Sequence, residues 1–386
     1  MDYKDLTMHS EKIAIFGASG LVGSRLCESL YLNKRYDFRA LIHSTGNAFR
    51  IARYPMEIEQ VNLLDRSQID RVLRDCDVVV NCSRGDKPVM LQGFKNLIRA
   101  SEKRKIKKFV HLSSVLIYGP NPSPESYSED CSPDPQGNDY GILKLQQDNI
   151  LLKRKSSFQS IILCPPNIYG PYGGFTYAVM NYLQSGKLFW VDEGKNPCNV
   201  VHVDNLVLAI YKAIENNLVN RERFFIKDEG DITWKDFLLK FANIMGIEAQ
   251  FINLESSHLE VNKDTFNKKS ILESCYDMAK YLASTEVRTT LLRLPVFKEF
   301  LSFISYRFSC LNPRLQEKIK EKLFSTTIMH KEPRSNDFNN DLVKLQTRKV
   351  SHSINKAKNI LGYEPLLDLD SGLEYTKFWM KFNNLI

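Results

Sequence analysis

The chain of 386 residues has no run of 18 apolar residues, so no segment is long enough to cross a bilayer as a helix. Met1 to Lys12 is polar and carries both charge signs, without the apolar stretch or cleavage pattern of a secretory leader. A cytoplasmic location is the expectation. The eight cysteines form no Cys-x-x-Cys pair, and the seven histidines no His-x-x-x-His pair on a predicted helix. Buried reduced thiols and no metal site are expected. The 53 Lys and Arg against 45 Asp and Glu are spread along the chain rather than clustered. Nucleic acid is therefore not the expected partner. Internal repeats and low-complexity tracts are also missing. At 43% hydrophobic the sequence excludes disorder, and its length suits one large domain or two smaller ones.

What the chain does contain is alternation. Ile13 to Phe16, Phe38 to Ile42, Ile58 to Val61, Val78 to Val80, Phe109 to Leu112 and Ile161 to Leu163 read as strands. Helical periodicity fills the gaps over Leu21 to Leu32, Ser67 to Leu73, Val89 to Ser101 and Tyr140 to Leu152. Strands separated by helices pair in parallel through right-handed crossovers, with both sheet faces covered. The expected fold class is α/β, a Rossmann-type doubly wound parallel sheet with a smaller, mostly helical C-terminal substrate domain. Residues 1–11 form a polar tail and 12–170 the dinucleotide-binding domain, to which 199–226 and part of the C-terminus return. The remainder, 171–386, is the substrate-binding region, with a helical insertion over 250–345. Within these bounds 165–174 reads as a Pro- and Gly-rich loop, 199–203 as a strand, and 205–215, 234–245, 353–361 and 371–383 as helices. Arg288 to Cys310 mixes aromatics with basic residues. Such a helix packs on a core in the ordinary case, and in the minority case lies at a membrane surface or lines an apolar pocket.

The chemistry begins where the first strand ends, at Gly17-Ala18-Ser19-Gly20-Leu21-Val22-Gly23. Gly17 permits the tight turn, Gly20 lets backbone approach a pyrophosphate, and Gly23 lets helix and strand pack closely. The helix that follows offers free N–H groups to phosphate. The second strand ends at His43 and Ser44 with no carboxylate for a ribose. Those two residues and Arg39 tolerate a 2′-phosphate, which tilts the cofactor from NAD towards NADP. Tyr140 and Lys144 stand four apart on a predicted helix, hence on one face. A phenol titrates near pH 10, and an adjacent ammonium together with the positive charge of an oxidised nicotinamide lowers that value so the phenolate can take a substrate proton. Ser114 sits at the carboxyl end of the fifth strand, where open α/β sheets bind ligands.

In these residues the chain resembles the extended short-chain dehydrogenase/reductases, also called NAD-dependent epimerase/dehydratases. The resemblance covers residues 12–245 and extends to 346–382. It rests on the glycine turn, Ser114, Tyr140 with Lys144, the Pro165-to-Pro171 loop and Val201-His202-Val203-Asp204-Asn205. It implies a catalytic set of Ser114, Tyr140 and Lys144, with Lys144 also holding the nicotinamide ribose. It implies further cofactor contacts from Asn62 and Leu63 to adenine, from Cys82, Ser83 and Arg84 after the fourth strand, and from Pro166, Asn167 and Ile168 to the carboxamide. Dimerisation through the Tyr140 helix is common in the family.

The departures from the family pattern bear on substrate. Cys164 and Cys198 replace arginines that nucleotide-sugar members use, and a thiol gives no bidentate clamp on phosphate. Lys195 is a candidate substitute. Val115 and Leu116 replace the acid/base pair of the dehydratases, and Met90 replaces a usual asparagine. The leading expectation is hydride transfer at a secondary alcohol or ketone of a bulky or hydrophobic small molecule. A nucleotide-sugar epimerase stands second, and a dinucleotide-binding sensor without turnover third.

Overall fold

The computed structural model describes residues 9–256 and 341–386, all within the unit formed by Met1–His258 and Asn339–Ile386. The segment 288–310 and most of the expected helical insertion lie outside the described residues.

The central sheet has seven strands, all parallel: β1 (His9–Phe16), β2 (Tyr36–Ile42), β3 (Glu57–Gln60), β4 (Val78–Asn81), β5 (Lys108–Leu112), β6 (Gln159–Cys164) and β10 (Glu222–Phe225). Their order across the sheet is β10-β6-β5-β4-β1-β2-β3. The chain leaves β1 towards β2 and β3, then crosses back to β4, so the switch in direction falls between β1 and β4. That is where an open sheet leaves a crevice at its carboxyl edge. Ile13 to Phe16 and Val78 to Val80 are all at most 1% exposed, which is why these strands read as solid apolar runs.

Each face of the sheet has its own core. One holds Leu26, Leu30, Leu206 and Ile210 from α1 (Leu21–Asn33) and α6 (Val203–Glu215). The other holds Ile69, Phe94, Leu97 and Leu151 from α2 (Arg66–Val72), α3 (Phe94–Lys103) and α4 (Asp139–Lys153). The expected doubly wound fold is present.

Four elements depart from the sequence expectations. The Pro-rich loop contains β7 (Asn167–Tyr169), paired in parallel with β9 (Val200–His202). Gly174–Gln184 forms α5 directly after it. A second small sheet pairs β8 (Leu188–Val191) with β11 (Phe251–Leu254), so the stretch expected as helical insertion begins with a strand. The helix expected over 353–361 begins at Asn355, widens over Ala357–Leu361 and is closed by Gly362 at φ 65°. Trp234–Met245 is α7, opened by a reciprocal capping box between Thr233 and Asp236. The chain ends in α8 (Asp341–Leu345) and α9 (Leu369–Phe382).

Candidate active site

Parallel strands put all their carboxyl ends on one edge, so residues far apart in sequence meet there. After β1 the chain turns at Gly17, whose φ is 78°. A Cβ on Gly17 would stand 2.8 Å from the backbone of Cys82 and Ser83, which leave β4 beside it. A Cβ on Gly23 would strike the Gly17 carbonyl and stand 2.9 Å from Ala18 Cα. These two glycines are required by close backbone approach and, at Gly17, by the left-handed conformation. Gly20 caps α1 without any side-chain hydrogen bond, so the N–H groups of Leu21, Val22 and Gly23 have no intrahelical partner. Ser19 completes the turn. The result is a cradle of backbone donors that fits a dinucleotide pyrophosphate.

Asn81 at the end of β4 is fully buried; its Oδ1 accepts from Ser83 Oγ (2.6 Å) and its Nδ2 meets His111 Nδ1 (3.2 Å). This fixes the turn carrying Cys82, Ser83 and Arg84. The exposed Arg84 places its guanidinium 4.8 Å from the centroid of the Tyr140 ring. Lys144 Nζ lies 5.9 Å from the same centroid, so two cations flank one phenol. Tyr140 is held there by α4, whose N-terminus Asn138 caps by accepting from Gly141 N–H (2.8 Å). A side chain at Gly141 would collide with the Leu116 carbonyl. Only glycine lets α4 press onto the Val115–Tyr118 turn that follows Ser114. Ser114 Oγ accepts from Leu116 N–H (3.2 Å), and Val115 N–H donates to Pro165 O (3.2 Å), linking this turn to the Pro166, Asn167, Ile168 segment.

Lys144 is 3% exposed and donates from Nζ to Leu112 O (2.7 Å). Burial pulls its ammonium down to about 8, opposed by the Asp148 charge. Burial pushes the Tyr140 phenol above its ordinary value, and the Arg84 cation works against that rise. In the protein alone, burial rather than Lys144 sets the direction of the Tyr140 shift. Desolvation outweighs the neighbouring charge, and Arg84, which sequence reasoning gave only a cofactor contact, is the cation that opposes it.

Beneath these residues lies a polar cluster that the sequence reading missed. Asp148, one turn beyond Lys144, is fully buried; its Oδ2 accepts from Ser113 Oγ (2.9 Å) and Arg223 Nε (3.1 Å). Its Oδ1 stands 3.8 Å from His111 Nε2, and neither atom has a hydrogen bond among the described residues. Burial raises the Asp148 carboxyl to about 6 and holds His111 well below its ordinary value, in the neutral form. The i, i+4 spacing of Lys144 and Asp148 was a visible signal for this pair. Arg223, on another strand, left none.

Other expected contacts fall as follows. His43 is exposed at the end of β2, and Ser44 follows it. Arg39 is 7% exposed and committed to Glu57, Glu59 and Asp75, so it is not available to a 2′-phosphate. Asn62 holds the turn after β3, accepting from Leu64 N–H (2.9 Å), and Leu63 packs against Gly93. Met90 is buried and uses its carbonyl to accept from Gln147 Nε2 (2.7 Å). Cys164 and Cys198 are buried, at 0% and 3% exposure. Among the described residues no group of three or more His, Cys, Asp or Glu is placed to hold a metal ion.

Residues 13–226 match the family model "NAD dependent epimerase/dehydratase family". The chain belongs to this family, whose cofactor is NAD, and the resemblance inferred from the motifs holds. A decarboxylating sterol-4-alpha-carboxylate 3-dehydrogenase from Candida albicans is 22% identical over 401 residues, covering 96% of this chain and 97% of that protein. An N-acetyl-alpha-D-glucosaminyl-diphospho-undecaprenol 4-epimerase from Escherichia coli is 26% identical over 239 residues, covering 58% of this chain and 69% of that one. In structure, UDP-glucose 4-epimerase from Thermotoga maritima superposes with a TM-score of 0.64 at 18% identity, covering 97% of this chain and 99% of that chain. This last likeness speaks for the fold.

Proposed function

We propose that the protein is an NAD(P)-dependent oxidoreductase acting at a secondary alcohol or ketone of a bulky small molecule, with Tyr140 as acid and base. The observation that carries it is one phenol with the Arg84 and Lys144 cations 4.8 Å and 5.9 Å from its ring centroid, Arg84 following the Cys82–Ser83 turn that packs on Gly17. Gly17 to Gly23, Cys82, Ser83 and the Pro166-to-Ile168 segment would hold the dinucleotide, with Asn62 and Leu63 at its adenine end. When bound, the nicotinamide supplies or accepts the hydride. Burial keeps the Tyr140 phenol protonated, so it can donate to the substrate oxygen as a carbonyl is reduced. In the reverse direction it takes that proton back, and the two cations stabilise the phenolate. Ser114 orients the substrate oxygen. The end of β2, with His43 and Ser44 and no carboxylate, keeps the tilt to NADP even without Arg39.

The Candida sterol relative spans nearly the whole chain and supports a bulky hydroxy or keto substrate over a nucleotide sugar. A cytoplasmic location and a homodimer through the Tyr140 helix belong to the same reading, which sizing by light scattering checks. Wild type and Tyr140→Phe are to be compared with NAD and NADP on a hydroxysteroid and on UDP-glucose, following reduced cofactor and epimer formation. Turnover of the steroid by wild type, lost in Tyr140→Phe with cofactor binding retained, is the expected result. Epimer formation would favour the nucleotide-sugar alternative, and equal inactivity of both proteins with intact cofactor binding would favour the sensor.

A further inference from the structure

The last helix, α9, has one face committed to the core and a second apolar stripe turned to solvent. Inward, Leu373, Thr376 and Met380 are buried, and the Trp379 ring lies 5.1 Å from that of Tyr172. A side chain at Gly372 would strike the Tyr169 hydroxyl, so the helix sits close and cannot roll. Outward stand Tyr375, Phe378 and Phe382, exposed by 56%, 65% and 86%. Their i, i+3, i+7 spacing sets the three rings in one line along the helix. Single exposed apolar residues are ordinary, whereas a line of three aromatic rings is a contact surface.

The charges beside the stripe indicate what covers it. Asp370 is already held by Lys240 of α7 (2.5 Å). Glu374 and Lys381 are exposed on one flank of Phe378; Glu374 has only Lys377 at 3.5 Å, and Lys381 has no ion pair among the described residues. The helix is thus acidic towards its N-terminus and basic towards its C-terminus, as its own dipole favours. A second copy lying antiparallel complements that order. With a two-fold axis beside Phe378, Glu374 of each copy falls next to Lys381 of the other, Tyr375 next to Phe382, and the two Phe378 rings meet. An anionic lipid surface would instead face Asp370 and Glu374 along with the two lysines, and finds no such match. The rings leave about 400 Å² open per copy, at roughly 200 Å² for a whole aromatic side chain. Pairing two copies buries about 800 Å² of aromatic surface, the centre of an interface that needs roughly 1,200 Å² in all, with the flanking side chains as its rim.

We infer that α9 is a self-association surface, pairing antiparallel with α9 of a second copy about a two-fold axis at Phe378. Symmetry makes every contact occur twice, so a single substitution acts on both sides of the interface. The inference does not depend on the proposed activity, and its test needs no turnover. It is also separate from pairing through the Tyr140 helix: where both occur, the α9 step is read as dimer to tetramer.

Sedimentation velocity of the full chain from about 1 to 100 μM should show a reversible association step. Phe378→Asp, which sets two carboxylates on the axis, should raise its Kd about 100-fold. Glu374→Lys and Lys381→Glu should each weaken it about 10-fold by placing like charges together. Combining the two in one chain should restore it, and the two single variants mixed should bind each other more tightly than either binds itself. All these side chains are exposed, so unchanged thermal unfolding shows that each variant is folded. A monomer throughout the range, a step indifferent to these variants, or a mixture that fails to associate would overturn the inference. So would flotation with phosphatidylcholine–phosphatidylserine vesicles, lost in Phe378→Asp, by a chain that does not self-associate.

Discussion

Replacing Asp148 by Asn tests the buried cluster under Lys144 more sharply than any surface change. The native carboxyl sits at about 6, against an ordinary value of 3.8. That gap of roughly two units corresponds to about 3 kcal/mol, since each unit is worth about 1.4 kcal/mol. The sign follows from proton counting. Between pH 4 and 6 the folded state holds a proton that the unfolded chain has released, so stability falls as pH rises through that window. Below pH 4 both states are protonated and the effect is gone. Asn at 148 keeps an oxygen for Ser113 and Arg223 but cannot ionise. Urea unfolding of both proteins at pH 4 and at pH 7 therefore has a defined outcome. Whatever the variant costs at pH 4, it should recover about 3 kcal/mol relative to wild type by pH 7. A difference that instead moves in favour of wild type with rising pH would mean that Arg223 and Lys144 hold the carboxyl below its ordinary value, and the reasoning would fail.

Gly17→Ala places a Cβ 2.8 Å from the Cys82–Ser83 backbone at φ 78° and should cost about 2–5 kcal/mol, read by thermal and urea unfolding, with weakened NADH binding. Lys144, lowered to about 8 in the fold, gives up its proton before the unfolded chain does. Stability should rise between pH 8 and 10 in wild type relative to Lys144→Met, and a flat difference would refute the burial assignment. Thr233→Ala removes the side-chain half of the α7 capping box and should cost about 1 kcal/mol with cofactor affinity unchanged.

Much of this was legible in the sequence, for a physical reason. Strands buried on both faces must be apolar throughout, so β1, β2, β4, β5 and β6 announced themselves, and in a parallel sheet their carboxyl ends necessarily share an edge. That logic brought the glycine turn, Ser114, Tyr140 and Lys144 to one place before any coordinates. What stayed hidden depended on tertiary contact. Pro165 and Pro166 masked β7, and the Gly173–Gly174 pair disguised the start of α5. Arg39 looked like a phosphate ligand because its three carboxylate partners lie on other segments.

The central claim is that Tyr140, flanked by Arg84 and Lys144, stands against a nicotinamide seated on the Gly17-to-Gly23 turn. A crystal structure of the protein with bound NAD measures it directly. The account predicts the pyrophosphate on the α1 N-terminus, Lys144 Nζ within about 3 Å of a nicotinamide-ribose hydroxyl, and the Tyr140 hydroxyl facing the ring. A dinucleotide bound elsewhere, or a nicotinamide separated from Tyr140 by an intervening side chain, would contradict it.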